Sequence, residues 1–106
     1  MAFISLSDLE AKELVSGFHG RFVHTENMTF VYWDIKAGAI LPDHSHPHEQ
    51  VVNILEGELE FNLGGDVRVM KPGDVAVIPG DVSHSAKGIT DCSVIDVFYP
   101  VREDYK

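Results

Sequence analysis

Polar and apolar residues alternate with a period of two in one stretch of this chain, and short β-prone runs recur along the rest. Leu59, Phe61 and Leu63 alternate with Glu58, Glu60 and Asn62, which predicts a strand with one buried and one wet face. Near the C-terminus Val94, Asp96 and Phe98 share one parity, against Ile95, Val97 and Tyr99. Other β-prone runs predict strands over 21–25, 29–35, 51–55, 67–70 and 75–78, and one more that starts at His84. Between them stand Gly38, Pro42, Pro47, Gly57, Gly64-Gly65-Asp66, Pro72-Gly73-Asp74, Pro79-Gly80-Asp81 and Gly88, residues that mark turns. The Gly64-Gly65 pair predicts a hairpin tip. Only the beginning reads as helical: Ser7 as cap, a short turn over 9–14, and Gly17 as its end. Short strands at near-regular spacing, with no helices between them, predict an all-β sandwich or small barrel made of one closed or nearly closed sheet. No linker, repeat or low-complexity stretch interrupts the chain, so we expect one domain over 1–106, its barrel core covering about 20–100.

Composition narrows the partners. Eight Lys and Arg against seventeen Asp and Glu leave a net charge of −9, a field that repels a phosphate backbone and excludes nucleic acid. Cys92 is the only cysteine, so no internal disulfide is expected and a reducing, cytoplasmic compartment fits. No apolar run reaches the roughly 18 residues of a membrane span, and the first twenty residues do not read as a secretory signal.

The chemistry gathers at the histidines. Three of the six fall within five positions, His44, His46 and His48. On a strand, residues two apart share a face, so His44 and His46 are expected to converge, while Pro47 breaks the row before His48. Gln50 opens the next strand, and His84 follows the Pro79-Gly80-Asp81 turn. Two histidines on one strand, joined by side chains from two others, can cage one divalent transition-metal ion: Ni, Zn, Mn, Fe or Cu. A set of solvated surface histidines in an acidic loop is the other reading these residues leave open.

The spacing around them resembles the cupin superfamily. The first cupin motif appears as Gly38, five residues, His44-Ser45-His46, three residues, Gln50, six residues, Gly57. The second appears as Gly73, five residues, Pro79-Gly80-Asp81, two residues, His84, three residues, Gly88. The resemblance implies a single-domain cupin, a small antiparallel jelly-roll β-barrel, with His44, His46, Gln50 and His84 as metal ligands. Gln50 stands where the motif carries Glu, and Gly88 where it carries Asn. Four neutral donors would leave an ion its full charge of about +2, which favours Lewis-acid work on an anionic, oxygen-rich substrate. It argues against the carboxylate-ligated iron oxygenases.

Asp96 shares the core parity of Val94 and Phe98, and an inward carboxylate is costly unless paired or functional. An ion pair with Arg102, closing the last strand, is the structural alternative. The run from Asp96 through Phe98, Pro100 and Arg102 to Tyr105 is similar to the tail of the KdgF-type uronate-linearising cupins of pectin and alginate breakdown. That resemblance implies ring opening of a 4,5-unsaturated uronate, a small anionic sugar, to its linear 5-keto-4-deoxy form. It implies Asp96, Phe98 and Arg102 as site residues, and their chemistry leads us to expect Asp96 as proton carrier, Arg102 as a forked clamp on the sugar carboxylate and Phe98 as a wall of the pocket. It further implies a homodimer. A dioxygenase or lyase acting on another small acid, and a non-catalytic sugar- or metal-binding cupin, are the alternatives. His19, His24 and His48 are expected at the surface or the pocket rim. Tyr32 and Trp33 are expected on opposite faces of one strand, and Cys92 as a buried small apolar residue.

Overall fold

The computed structural model describes residues 2–106. Ten strands form between the turn residues: β1 (Lys12–Val15), β2 (Phe18–His24), β3 (Thr29–Ile35), β4 (Ile40–His44), β5 (Glu49–Glu56), β6 (Leu59–Leu63), β7 (Asp66–Met70), β8 (Val75–Ile78), β9 (His84–Gly88) and β10 (Cys92–Tyr99). They make two sheets, one of six strands in the order β1-β2-β3-β10-β5-β8 and one of four in the order β4-β9-β6-β7. Every pairing is antiparallel, and the sheets pack as a jelly-roll-like sandwich. The expected single closed sheet is thus replaced by two. The chain crosses from one sheet to the other at short turns such as Gly57, between β5 and β6, instead of continuing one ladder.

The N-terminal expectation is corrected. A single 3-10 turn covers Leu6–Asp8, preceded by Ser5 and with no side-chain cap, while Lys12–Val15 is a strand. Six residues are too few to sustain a helix on their own. The adjoining β2 offers ladder partners instead, pairing Lys12 with Gly20, Glu13 with His19 and Val15 with Phe18. The Glu13 carboxylate accepts a bond from the Gly17 N–H at 3.1 Å across the turn.

The inner face of the large sheet reads in rows across the strands. Trp33, Val94 and Ile54 form one row, Val31, Asp96, Val52 and Ala76 the next, and Thr29, Phe98, Gln50 and Ile78 the third. Leu59, Phe61 and Ala86 face them from the small sheet. One end of the sandwich is therefore apolar, closed by Ile35 opposite Cys92. Cys92 is free and buried, as expected, with its thiol donating to the Glu58 carbonyl at 3.1 Å. The buried polar residues, Thr29, His46, Gln50, His84, Asp96 and Arg102, gather toward the other end. Among the described residues no helix is long and apolar enough to cross a membrane.

Two turn glycines differ in what surrounds them. Gly57 has φ +82°, and a Cβ there would overlap the Asp91 carbonyl oxygen; Gly65, at the β6–β7 hairpin tip, has φ +95° and open space around it. Gly57→Ala therefore combines left-handed strain with a backbone clash and is expected to cost roughly 2–4 kcal/mol. Gly65→Ala carries the conformational part alone, about 1 kcal/mol. Urea midpoints of the two variants check the difference.

Candidate metal centre and pocket

His44 ends β4 and His84 opens β9, and the register sets them opposite each other. Between the pairs Leu41–Ala86 and His44–His84, β4 advances three residues against two on β9. That bulge re-aims the end of the strand toward the interior. His46 lies two residues past β4, so loop geometry and not the strand pleat brings it in. One ligand nitrogen from each of His44, His46 and His84 lies within 4.8 Å of the others. Gln50 comes from β5, and its Oε1 is 3.0 Å from His46 Nε2. The three histidines therefore converge, with Gln50 beside His46.

The local backbone prepares these rings. His44 Nδ1 donates to the Pro42 carbonyl at 3.0 Å, His46 Nδ1 to the His48 carbonyl at 3.1 Å, and His84 Nδ1 to the Val82 carbonyl at 2.9 Å. A carbonyl only accepts, so each Nδ1 carries a hydrogen, and the neutral form of such a ring has its lone pair on Nε2, the arrangement of a metal-ligating histidine. His84 Nε2 is buried and has no partner. His46 Nε2 faces a second acceptor in Gln50 Oε1. Burial, with Arg102 next in effect, pushes His46 down to about 4, and burial also lowers His84. Both rings are neutral at pH 7. Lone pairs that converge without a proton between them suit a divalent cation, and the donor set fits one.

Asp96 is buried beside this centre. The Trp33 indole N–H donates to Oδ2 at 3.0 Å, and Oδ1 has no hydrogen-bond partner. Burial pushes the carboxyl up to about 6, against the opposing pull of Gln50, Trp33 and Arg102. The ion pair weighed for Asp96 and Arg102 does not form. Asp104 takes the guanidinium instead, with Nε to Oδ1 at 3.0 Å and Nη2 to Oδ2 at 2.7 Å. The 3-10 turn Glu103–Tyr105 brings this nearer carboxylate alongside. Asp104 therefore occupies the Nε–Nη2 edge of Arg102, and the Nη1 side of the guanidinium is left for a ligand. Its side chain is 8% exposed, with the guanidinium carbon 4.8 Å from the Phe98 ring centre and 3.9 Å from that of Tyr105.

A cavity of about 60 Å³ lies between the sheets, with His44, Gln50, Asp96, Phe98, Trp33 and Tyr105 among the residues around it. Asp104 and Tyr105 were given no role in the site from the sequence, and of Tyr32 and Trp33 the sequence said only that at least one is core and that an aromatic can line a sugar site. Strand parity sets Trp33 inward, opposite Val94, and Tyr32 outward, opposite Ile95. The remaining histidines lie outside the cluster: His19 pairs with Glu13 at 3.1 Å and His24 bonds Thr29 at 2.8 Å. His48 contributes its carbonyl to His46, and its own Nδ1 is buried without a partner.

A carboxyl whose pKa rises on folding binds its proton more tightly in the native state, so stability falls as pH rises through the window from about 4 to 6. The shift from 3.8 to about 6 corresponds to roughly 3 kcal/mol lost above that window. In chelator-treated protein, Asp96→Asn is expected to be the more stable form at pH 7. Its advantage over wild type should shrink toward zero at pH 4. Urea unfolding of both proteins across this range measures the difference, and a constant gap would contradict the buried, unpaired Oδ1.

No curated protein matches this chain. Among solved structures, KdgF from Halomonas sp. is similar over 100% of this chain and 99% of its own, at 28% identity and TM-score 0.94. An RmlC-like cupin from Shewanella frigidimarina is similar over 100% and 96%, at 29% identity and TM-score 0.94. A predicted oxalate decarboxylase from Thermotoga maritima shares the fold, at 18% identity and TM-score 0.83 over 93% of this chain and 99% of its own. The cupin domain family matches residues 31–98, a span that holds the three converging histidines, Gln50 and the strand bearing Asp96. The chain belongs to the cupin family.

Proposed function

We propose that this protein is a metal-dependent enzyme that opens 4,5-unsaturated uronate monosaccharides to linear 5-keto-4-deoxyuronates, an isomerisation in pectin and alginate breakdown. The observation that carries the reading is the carboxylate of Asp96, one oxygen tied and the other free, beside four converging neutral donors. Full-length similarity to the structure of a protein named KdgF supports it.

The reaction needs a proton moved and no atom added. Asp96, as carboxylate, takes the proton of the anomeric hydroxyl through Oδ1. The C1–ring-oxygen bond then breaks, C1 becomes an aldehyde, and the electron pair passes to the former ring oxygen as an enolate. Returning the same proton to C4 gives the 5-ketone and restores the carboxylate. A carboxyl near 6 suits both halves at neutral pH, because it accepts and releases a proton with little bias. A divalent ion held by His44, His46, Gln50 and His84 supplies Lewis-acid stabilisation of negative oxygen. Phe98 packs between Arg102 and His46, its ring centre 5.6 Å from that of His46, and so separates the guanidinium from the metal ligands. With its fork on Asp104, Arg102 attracts the sugar carboxylate through charge and its remaining N–H groups. The cavity is small beside the roughly 300–1,000 Å³ of ligand pockets in general, so in this reading only the reacting edge of the sugar enters it. A non-catalytic cupin would be favoured by an Asp96 locked to Arg102, and that pair is absent among the described residues.

The working unit is a cytoplasmic homodimer in this reading. An outer sheet face in water is ordinarily polar. Here Val23, Phe30, Val97, Val51 and Val77 form one apolar row across five strands of the large sheet, and Leu55 and Tyr99 are exposed. A second copy would cover that face.

With metal-loaded wild type, the ultraviolet band of the unsaturated carboxylate is expected to decay well above the spontaneous rate. Asp96→Asn should lose at least about 100-fold while retaining its metal. A loaded wild type no faster than buffer ends the proposed function. For the assembly, Val97→Lys at the centre of the apolar row should convert a dimer to a folded monomer in sedimentation equilibrium. Wild type that is monomeric at every concentration removes the dimer.

A further inference from the structure

Asp96 has Val31 on one side of its row and Val52 on the other, so neither flanking neighbour can hold its carboxylate. Trp33, two residues along β3 from Val31, reaches it diagonally with the indole N–H. The indole is itself held from several sides. Phe18 meets it edge-on at 5.9 Å and 84°, and Phe22 at 5.8 Å and 77°. Beneath it lies Gly20, its direct cross-strand partner on β2, where a Cβ would come within 2.7 Å of the ring. The ring therefore occupies the space that a side chain at position 20 would need. Packing alone needs a large aromatic here; it does not need an N–H. What the indole adds over a phenyl ring is one donor, and that donor is spent on one oxygen of a carboxylate whose other oxygen is buried without a partner.

We infer that Trp33 is a positioning residue: its N–H ties Oδ2 of Asp96, fixes the plane of the carboxylate and leaves Oδ1 as the oxygen presented to the cavity. This rests on Asp96 being the proton carrier. A carboxylate free to rotate offers either oxygen in many orientations, whereas one tied from the side offers a single lone pair in one direction. Such pre-orientation acts on the chemical step and not on substrate affinity.

The test uses the metal-loaded full-length protein and exploits the fact that Trp33 is the only tryptophan. Trp33→Phe keeps an aromatic ring over Gly20 and deletes the N–H. Its kcat on unsaturated galacturonate is expected to fall about 10–100-fold, with KM within about twofold and metal content unchanged. A Trp33→Phe variant that keeps the wild-type kcat, or loses only affinity, overturns the inference and leaves the proposed function standing. The second measurement needs neither turnover nor that variant. In 15N-labelled wild type the single indole N–H resonance is expected downfield, as for a bond to a carboxylate, and Asp96→Asn should move it upfield. An indole resonance indifferent to Asp96→Asn overturns the inference even where turnover is absent, whereas absent turnover alone counts against the proposed function.

Discussion

Strand β10 lies between β3 and β5, and its register decides what the sandwich encloses. In the observed register Val94, Asp96 and Phe98 face inward, opposite Trp33, Val31 and Thr29 on one side and Ile54, Val52 and Gln50 on the other. A slip of one residue would turn every one of these side chains outward and bring Ile95 and Val97 in. The apolar rows at the far end hold the strand against that slip. Asp96 and Gln50 are thus positioned by residues with no chemistry of their own, such as Val94 and Ile54. The same constraint places Trp33 within reach of Asp96, although 63 positions separate them in the chain.

Charge at this end of the molecule is arranged sparingly. The three rings of the cluster direct their Nδ1–H groups to backbone carbonyls, away from the centre. Gln50 adds no charge, and Arg102 is largely neutralised by Asp104. Arg102 nonetheless lowers His46 and restrains the rise of Asp96. In a chain of net charge −9, an anionic ligand gains little from the overall field. With Arg102 compensated, a cation among the four neutral donors would be the main local attraction.

Much of this was legible in the sequence because a strand carries its orientation in its alternation. The inward parity of Asp96 and the half-wet β6 required only a period of two, and the extents of β3 and β8 only β-prone runs between turn residues. The convergence of His44 with His84 was legible through motif spacing. The parts that were not legible depend on competition between partners. Leu9–Leu14 has some helical character, and only the presence of β2 alongside decides for a strand. His46 lies beyond the end of β4, so the pleat says nothing of where it points. Arg102 had two carboxylates within reach of a sequence argument, and the one two residues away won over the one six residues back. The division into two sheets follows from where the chain crosses over, which local pattern does not record.

The buried polar residues gather toward one end of the sandwich, Thr29, Gln50 and Asp96 in two neighbouring rows of the large sheet, and this distribution bears on how the fold tolerates them. Burying Asp96, Gln50 and His84 costs free energy that their few hydrogen bonds return only in part. Were they scattered along the sandwich, each would interrupt an apolar row and loosen both sheets. Gathered together, they leave Trp33, Val94, Ile54, Ile35 and Cys92 to hold the sheets in close contact. Trp33 stands on the boundary, its ring in the last wholly apolar row and its N–H directed into the next. An unpartnered Oδ1 on Asp96 is then a local cost that the remaining core can carry, and the fold does not need to satisfy that oxygen from within.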